Sequence, residues 1–120
     1  MPATMTVGKE FVFHAAHNLT GYEGKCENLH GHSYRLRVAV EGTVGSDGLV
    51  MDFAEIDRVV RERVIDVLDH SYINDIVEGN ASLENLAEWV WGALKDALPL
   101  KRLEMRETDT NFLIYEGPGT

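Results

Sequence analysis

Three histidines of this chain, His17, His30 and His32, have the type and spacing to hold a metal ion. A single glycine separates His30 from His32 at the entry to an alternating stretch, so in extended backbone both imidazoles leave the same face. His17 closes an earlier alternating stretch, in phase with the apolar residues Val7, Phe11, Phe13 and Ala15. If the two stretches pair, the loop between them returns all three rings to one end of a sheet. Three neutral nitrogen ligands with one position open is a common arrangement for catalytic zinc, whereas structural zinc takes four protein ligands rich in Cys. The plainer alternative is a set of surface or hydrogen-bonded histidines that are neighbours in sequence only. A barrel-type iron site of two His and a carboxylate wants an acidic residue about four positions after the pair. Leu36 and Arg37 stand there instead.

Cys26 lies four residues before His30 and is the only cysteine, so it has no partner for an internal disulfide. A dication nearby would lower its pKa toward the reactive thiolate; the commoner fate of a free cysteine is that of a small buried hydrophobe. Asp69 and His70 form a second candidate pair, because a carboxylate can orient an imidazole for proton transfer. Taken alone they would equally suit a histidine at a helix C-terminus beside a solvated aspartate.

The rest of the chain bounds what these residues can serve. A length of 120 residues suits one domain, taken as 1–120. The net charge of −9 disfavours binding to nucleic-acid phosphates, which needs clustered Lys and Arg. An anionic substrate would have to be met locally by a few cations such as Lys9, Lys25, Arg35 or Arg37. No apolar run approaches the roughly 20 residues of a membrane-spanning helix. The first residues, Met1 to Lys9, lack the pattern of a secretion signal, so a cytoplasmic location with no membrane partner is expected.

The elements that must position the candidates follow from periodicity. Alternation predicts a strand over 6–16 and another over 33–44, where Tyr34, Leu36, Val38 and Val40 oppose Ser33, Arg35, Arg37 and Glu41. The turn formers of 18–31 mark a long loop between them. Helical spacing of Phe53, Ile56, Val59, Val60, Val64, Val67 and Leu68 predicts a helix capped by Asp52, with Glu55 completing a capping box. After an irregular stretch, 69–81, Ser82 caps a second helix that Pro99 terminates. Segments 101–109 and 111–116 read as closing strands joined by a tight turn at Thr108 to Asn111. The order ββααββ implies an α+β fold: a four-stranded antiparallel sheet with two helices packed on one face.

Phe11-Val12-Phe13-His14-Ala15-Ala16-His17, then Cys26, Leu29-His30-Gly31-His32-Ser33, Met51-Asp52-Phe53, Leu68-Asp69-His70 and Arg106-Glu107-Thr108 together form an ordered set spanning nearly the whole chain. This set resembles the 6-pyruvoyl tetrahydropterin synthase superfamily, and within it the bacterial 6-carboxytetrahydropterin synthases of queuosine biosynthesis. The resemblance implies a tunnelling fold (T-fold) whose sheets join between subunits, a homohexamer built as a dimer of trimers, and a pterin pocket between subunits. It implies Zn2+ on His17, His30 and His32, Cys26 as base, Asp69 and His70 as its partner relay, and Glu107 as anchor for the pterin ring. A carboxylate facing two parallel N–H donors is a bidentate acceptor. Without the resemblance, Glu107 would read as a strand carboxylate paired with Arg106 or a cross-strand Lys. The implied reaction converts 7,8-dihydroneopterin triphosphate to 6-carboxy-5,6,7,8-tetrahydropterin, acetaldehyde and triphosphate, with no redox cofactor.

Glu27, directly after Cys26, departs from the simplest pattern. Some relatives carry a glutamate in place of the thiol and resemble enzymes that cleave the dihydroneopterin side chain for folate synthesis. Having both residues resembles a dual-function subgroup. A reading of another class is a metal- or pterin-binding module without turnover, against which the joint presence of Cys26, Asp69 and His70 speaks. Trp89 and Trp91, on the second helix, read as core or interface anchors.

Overall fold

A computed structural model of the chain describes residues 2–19 and 28–119. Strand β1, Thr4–His17, pairs antiparallel with β2, His30–Thr43. Both strands are longer than the alternation alone predicts, and all three candidate histidines lie inside the ladder. Helix α1, Phe53–Val60, continues without a break through a wide π-type turn, Arg61–Ile65, into the short α2, Asp66–Leu68. Strand β3, Ser71–Tyr72, and a tight helical turn, Ile73–Asp75, lead to helix α3, Leu83–Leu94. Strands β4, Leu100–Arg106, and β5, Phe112–Tyr115, close the chain.

The sheet therefore has five strands among the described residues, in the order β3-β1-β2-β4-β5, and not the four expected. Nor is it wholly antiparallel, since Ser71 and Tyr72 run parallel to Ala15 and Ala16 of β1. Two residues cannot show a period, and what places them is a turn at His70, whose φ of 60° swings the chain back along β1. Helix starts follow the expected caps: Asp52 accepts the Ala54 N–H at 2.9 Å and Ser82 the Asn85 N–H at 3.1 Å. Glu55 does not close a capping box, because its carboxylate takes the Arg58 guanidinium instead. The second helix ends at Leu94, earlier than Pro99 requires, and tight turns then carry Leu98 into the core.

One face of the sheet is apolar and covered. Phe11 and Phe13 of β1, Leu36, Val38 and Val40 of β2, and Leu103 and Met105 of β4 are buried in one cluster with Ile56, Val60 and Val64 of the first helical rod and Leu86, Val90 and Leu94 of α3. Each such side chain contributes about 1.5–3 kcal/mol when fully buried, so the register that points them inward is strongly preferred. The other face carries Glu10, Val12, His14, Ser33, Arg35 and Arg37 and is exposed. No helix among the described residues is long and apolar enough to cross a membrane.

Gly8 leaves no room for a side chain between β1 and β2, since an added Cβ would lie 2.3 Å from the Val38 carbonyl oxygen. Gly92 of α3, by contrast, has open space around its Cα. Gly8→Ala is expected to destabilise the protein by about 2–3 kcal/mol, as overpacking against backbone does. Gly92→Ala is expected to stabilise it by about 0.5–1 kcal/mol through helix propensity. Opposite shifts of the urea midpoint relative to the parent check both.

A candidate metal and pterin site

The β1–β2 register places Ala15 opposite His32 and His17 opposite His30, with all three imidazoles on the helix-covered side at the open end of the ladder. Their ligand-capable nitrogens lie within 4.8 Å of one another. The rings meet edge to face, with centroids 4.6 Å apart for His17–His30, 5.0 Å for His17–His32 and 4.7 Å for His30–His32.

Backbone carbonyls fix how two of the rings present themselves. His17 is 2% exposed, the one fully buried histidine, and its Nδ1–H donates to the Ala81 carbonyl at 2.7 Å. The Nδ1–H of His30 donates to the Asn28 carbonyl at 2.6 Å. Carbonyls only accept, so each ring carries a proton on Nδ1, and in its neutral form turns a bare Nε2 inward. These two Nε2 atoms stand 3.0 Å apart. Two lone pairs at that distance repel unless a cation lies between them, so the donor set fits a divalent ion. A carbonyl on the remote ring nitrogen is also the usual support of a metal-bound imidazole. Burial holds the His32 imidazole below its ordinary pKa against the opposing pull of Glu107, which favours the neutral, ligating form.

Glu107 is close enough to this cluster for its charge to act on both His32 and Tyr34. It directly follows β4 on the parity of Leu103 and Met105, and the pairing of Arg35 with Arg106 brings it level with Tyr34. Among the described residues no hydrogen bond or ion pair holds its side chain. The expected structural partner, Arg106, donates instead to the Asp109 carbonyl and lies over the Phe112 ring.

Asp69 and His70 do form a pair, with His70 Nδ1 at 3.1 Å from Asp69 Oδ2, but in a different place. Asp69 Oδ1 accepts the His14 backbone N–H at 2.9 Å, and the His14 and His70 rings are 6.2 Å apart. His14 and His70, with Gly31, His32 and Ser33, line a shallow depression of about 500 Å3, and the His70 side chain is 79% exposed. His14 and Ser33 have the parity of the uncovered face. Within one chain His70 thus stands toward the uncovered side of the β1–β2 ladder and His17 and His30 on the covered side, with His32 at the border of the depression. Cys26, Glu27 and Lys25 lie outside the described residues. Of the other expected cations, Lys9 is paired with Asp57 at 3.1 Å, Arg35 with Glu10 at 3.7 Å and Arg37 with Glu104 at 3.0 Å.

Tyr34 is a site residue that sequence reasoning missed. Its ring stacks on Phe13 and meets His17 and His32 edge to face. The signal was present, since Tyr34 is two residues after His32 on the same face, but it reads equally as core. The supporting carbonyls of Ala81 and Asn28 leave no trace in sequence, because every residue has one.

The class is an α+β domain with a three-histidine cluster, able to hold a metal ion, at the open end of a strand pair. The family model described as 6-pyruvoyl tetrahydropterin synthase matches residues 6–118, and the chain belongs to this family of lyase-type enzymes. It is 42% identical over 118 residues to the 6-carboxy-5,6,7,8-tetrahydropterin synthase of Synechocystis sp., covering 92% of each chain. It is 33% identical to the 6-pyruvoyl tetrahydrobiopterin synthase of Dictyostelium discoideum, covering 98% of this chain and 99% of that one. The structure of Caenorhabditis elegans 6-pyruvoyl tetrahydropterin synthase superposes with a TM-score of 0.88 at 28% identity, covering 98% of each chain.

Two predictions follow from this geometry. If the cluster holds zinc, replacing one of its histidines, as in His17→Ala or His30→Ala, should weaken Zn2+ binding by at least about 100-fold in chelator competition, beyond what loss of a supporting group does. Zinc at about 100 times the parent's Kd should stabilise the parent by about 2.7 kcal/mol and these variants by no more than about 0.4 kcal/mol.

The second concerns Asp69, whose carboxyl is held below its ordinary pKa of 3.8, first by the His14 N–H and further by the His70 and His14 rings. A depressed carboxylate pKa contributes stability that is present above the unfolded value and lost as pH falls through the folded one. Asp69→Asn should therefore be less stable than the parent at neutral pH, with the gap closing below about pH 4. Urea midpoints measured across that range check it.

Proposed function

We propose that this chain catalyses the zinc-dependent conversion of 7,8-dihydroneopterin triphosphate to 6-carboxy-5,6,7,8-tetrahydropterin, acetaldehyde and triphosphate, in the pathway to queuosine. The observation that carries this reading is the convergence of the His17 and His30 Nε2 atoms and His32, beside a half-buried carboxylate with no partner among the described residues. Membership of the family supports pterin synthase chemistry, and the Synechocystis relative supports the carboxylated branch.

In this reading His17, His30 and His32 hold the ion, which supplies Lewis-acid polarisation of side-chain oxygens of the substrate when bound. Glu107 accepts the two N–H donors on the guanidine-like edge of the pterin and so fixes the ring. Cys26 takes a proton as the base. His70, oriented by Asp69 through Nδ1, leaves Nε2 to give or take a proton on the other side of the substrate side chain. The dyad lies on the face of the sheet away from His17 and His30, so it would serve the metal cluster of a neighbouring copy, in a pocket built between subunits.

Assembly as a homohexamer, a dimer of trimers, accords with that placement and with two open sheet edges, β3 and β5. The exposed Val12, Phe112 and Ile114 on or beside the uncovered face fit the same assembly. A cytoplasmic setting accords with the free thiol.

The 6-pyruvoyl branch is the second reading, favoured by the names of the Dictyostelium and C. elegans proteins. Zinc-loaded protein incubated with 7,8-dihydroneopterin triphosphate is expected to release acetaldehyde with a carboxylated pterin, by mass, and to stop when chelator is added. A pyruvoyl product moves the enzyme to the other branch; ligand binding with no product leaves a binding module. Cys26→Ala is expected to abolish the carboxylated product, and a Glu27→Ala protein with an unchanged product ratio removes the dual-function reading.

A further inference from the structure

The Tyr34 hydroxyl is the one buried side-chain polar atom among the described residues with no hydrogen-bond partner. A buried donor left unsatisfied is costly, and native structures rarely keep one without a reason. The ring around it is fully committed: Tyr34 is 1% exposed, its ring lies 5.0 Å from Phe13 at an interplanar angle of 7°, and it abuts His17 and His32. A phenylalanine would fill the same space without the orphan. Near it stands a second group lacking a partner among the described residues, the Glu107 carboxylate, level with Tyr34 across the β2–β4 pairing.

We infer that Tyr34 is a positioning residue of the pterin site, whose hydroxyl donates to the Glu107 carboxylate when a ligand presenting two parallel N–H groups docks on it. An ionised carboxylate has about four lone-pair positions. Two parallel N–H donors occupy one lone pair on each oxygen, so a third donor from the protein side fits without competition. That donor fixes the carboxylate plane and supplies the contact the hydroxyl lacks. In the free protein the two groups stand ready but unjoined, and docking of the ligand brings Glu107 onto the hydroxyl. The inference rests on the reading of Glu107 as the pterin anchor.

The test uses metal-free full-length protein titrated with 7,8-dihydroneopterin and followed by pterin fluorescence. Tyr34→Phe is expected to bind at least about tenfold more weakly, the effect of losing one hydrogen bond to a charged group. Its melting temperature should be equal to or above the parent's, because only an orphan group has been removed, and its zinc affinity should be unchanged. In the loaded enzyme KM should rise with kcat within about twofold, as loss of a ground-state binding contact requires. Affinity within twofold of the parent overturns the inference. Glu107→Gln separates the two layers: if it loses binding while Tyr34→Phe keeps it, the anchor stands and the role of Tyr34 falls. If Glu107→Gln binds like the parent, the anchor reading falls and takes this inference with it.

Discussion

The pairing of His17 with His30 and of Ala15 with His32 is the constraint on which the site depends. Side chains on a strand alternate between faces, so a slip of one residue between β1 and β2 would send one set of imidazoles to the opposite side of the sheet. The core prevents it. Phe11 faces Leu36 and Phe13 faces Tyr34 in the same register, and each of these is buried. The packing that stabilises the fold is thus the packing that aligns the ligands, and the apolar ladder grades into a ligand cluster at its open end without a change of direction.

Alignment alone would leave the rings free to rotate, and the backbone removes that freedom from elsewhere in the chain. Ala81, which accepts from His17, immediately precedes Ser82, the residue that caps α3. The start of a helix and the tautomer of a buried imidazole are therefore set by two adjacent residues. Near the same end of β1, Asn18 and Asn74 bond each other through backbone and side chain, at 3.1 and 2.9 Å, and Tyr72 reaches Asn18 as well. The segment that follows the first helical rod is short in regular structure, yet it braces the strand that carries His17.

The two faces of the sheet have separate chemistry. The covered face ends in imidazole nitrogens and a carboxylate with no partner among the described residues; the uncovered face ends in the Asp69–His70 pair beside His14, under a backbone turn of positive φ at His70. A non-glycine residue in that conformation is uncommon and is kept where surrounding contacts over-determine it. Here the His70 N–H bonded to the His14 carbonyl and the Asp69 carboxylate on the His14 N–H together hold it.

Much of this was legible from residue order. Period-two alternation determined β1 and β2, their inward faces and the parity that unites His17, His30 and His32; helical spacing with Asp52 and Ser82 determined the starts of both rods. These are local properties, fixed by backbone geometry within a few residues. Tertiary structure alone decided the rest: the two-residue β3 beside Ala15 and Ala16, the carbonyls that orient the imidazoles, the side of the sheet on which Asp69 and His70 stand, and the release of Glu107 from Arg106. Each of these joins groups distant along the chain through a main-chain atom or a turn, and main-chain atoms are the same at every position, so the sequence carries no mark of which ones will meet.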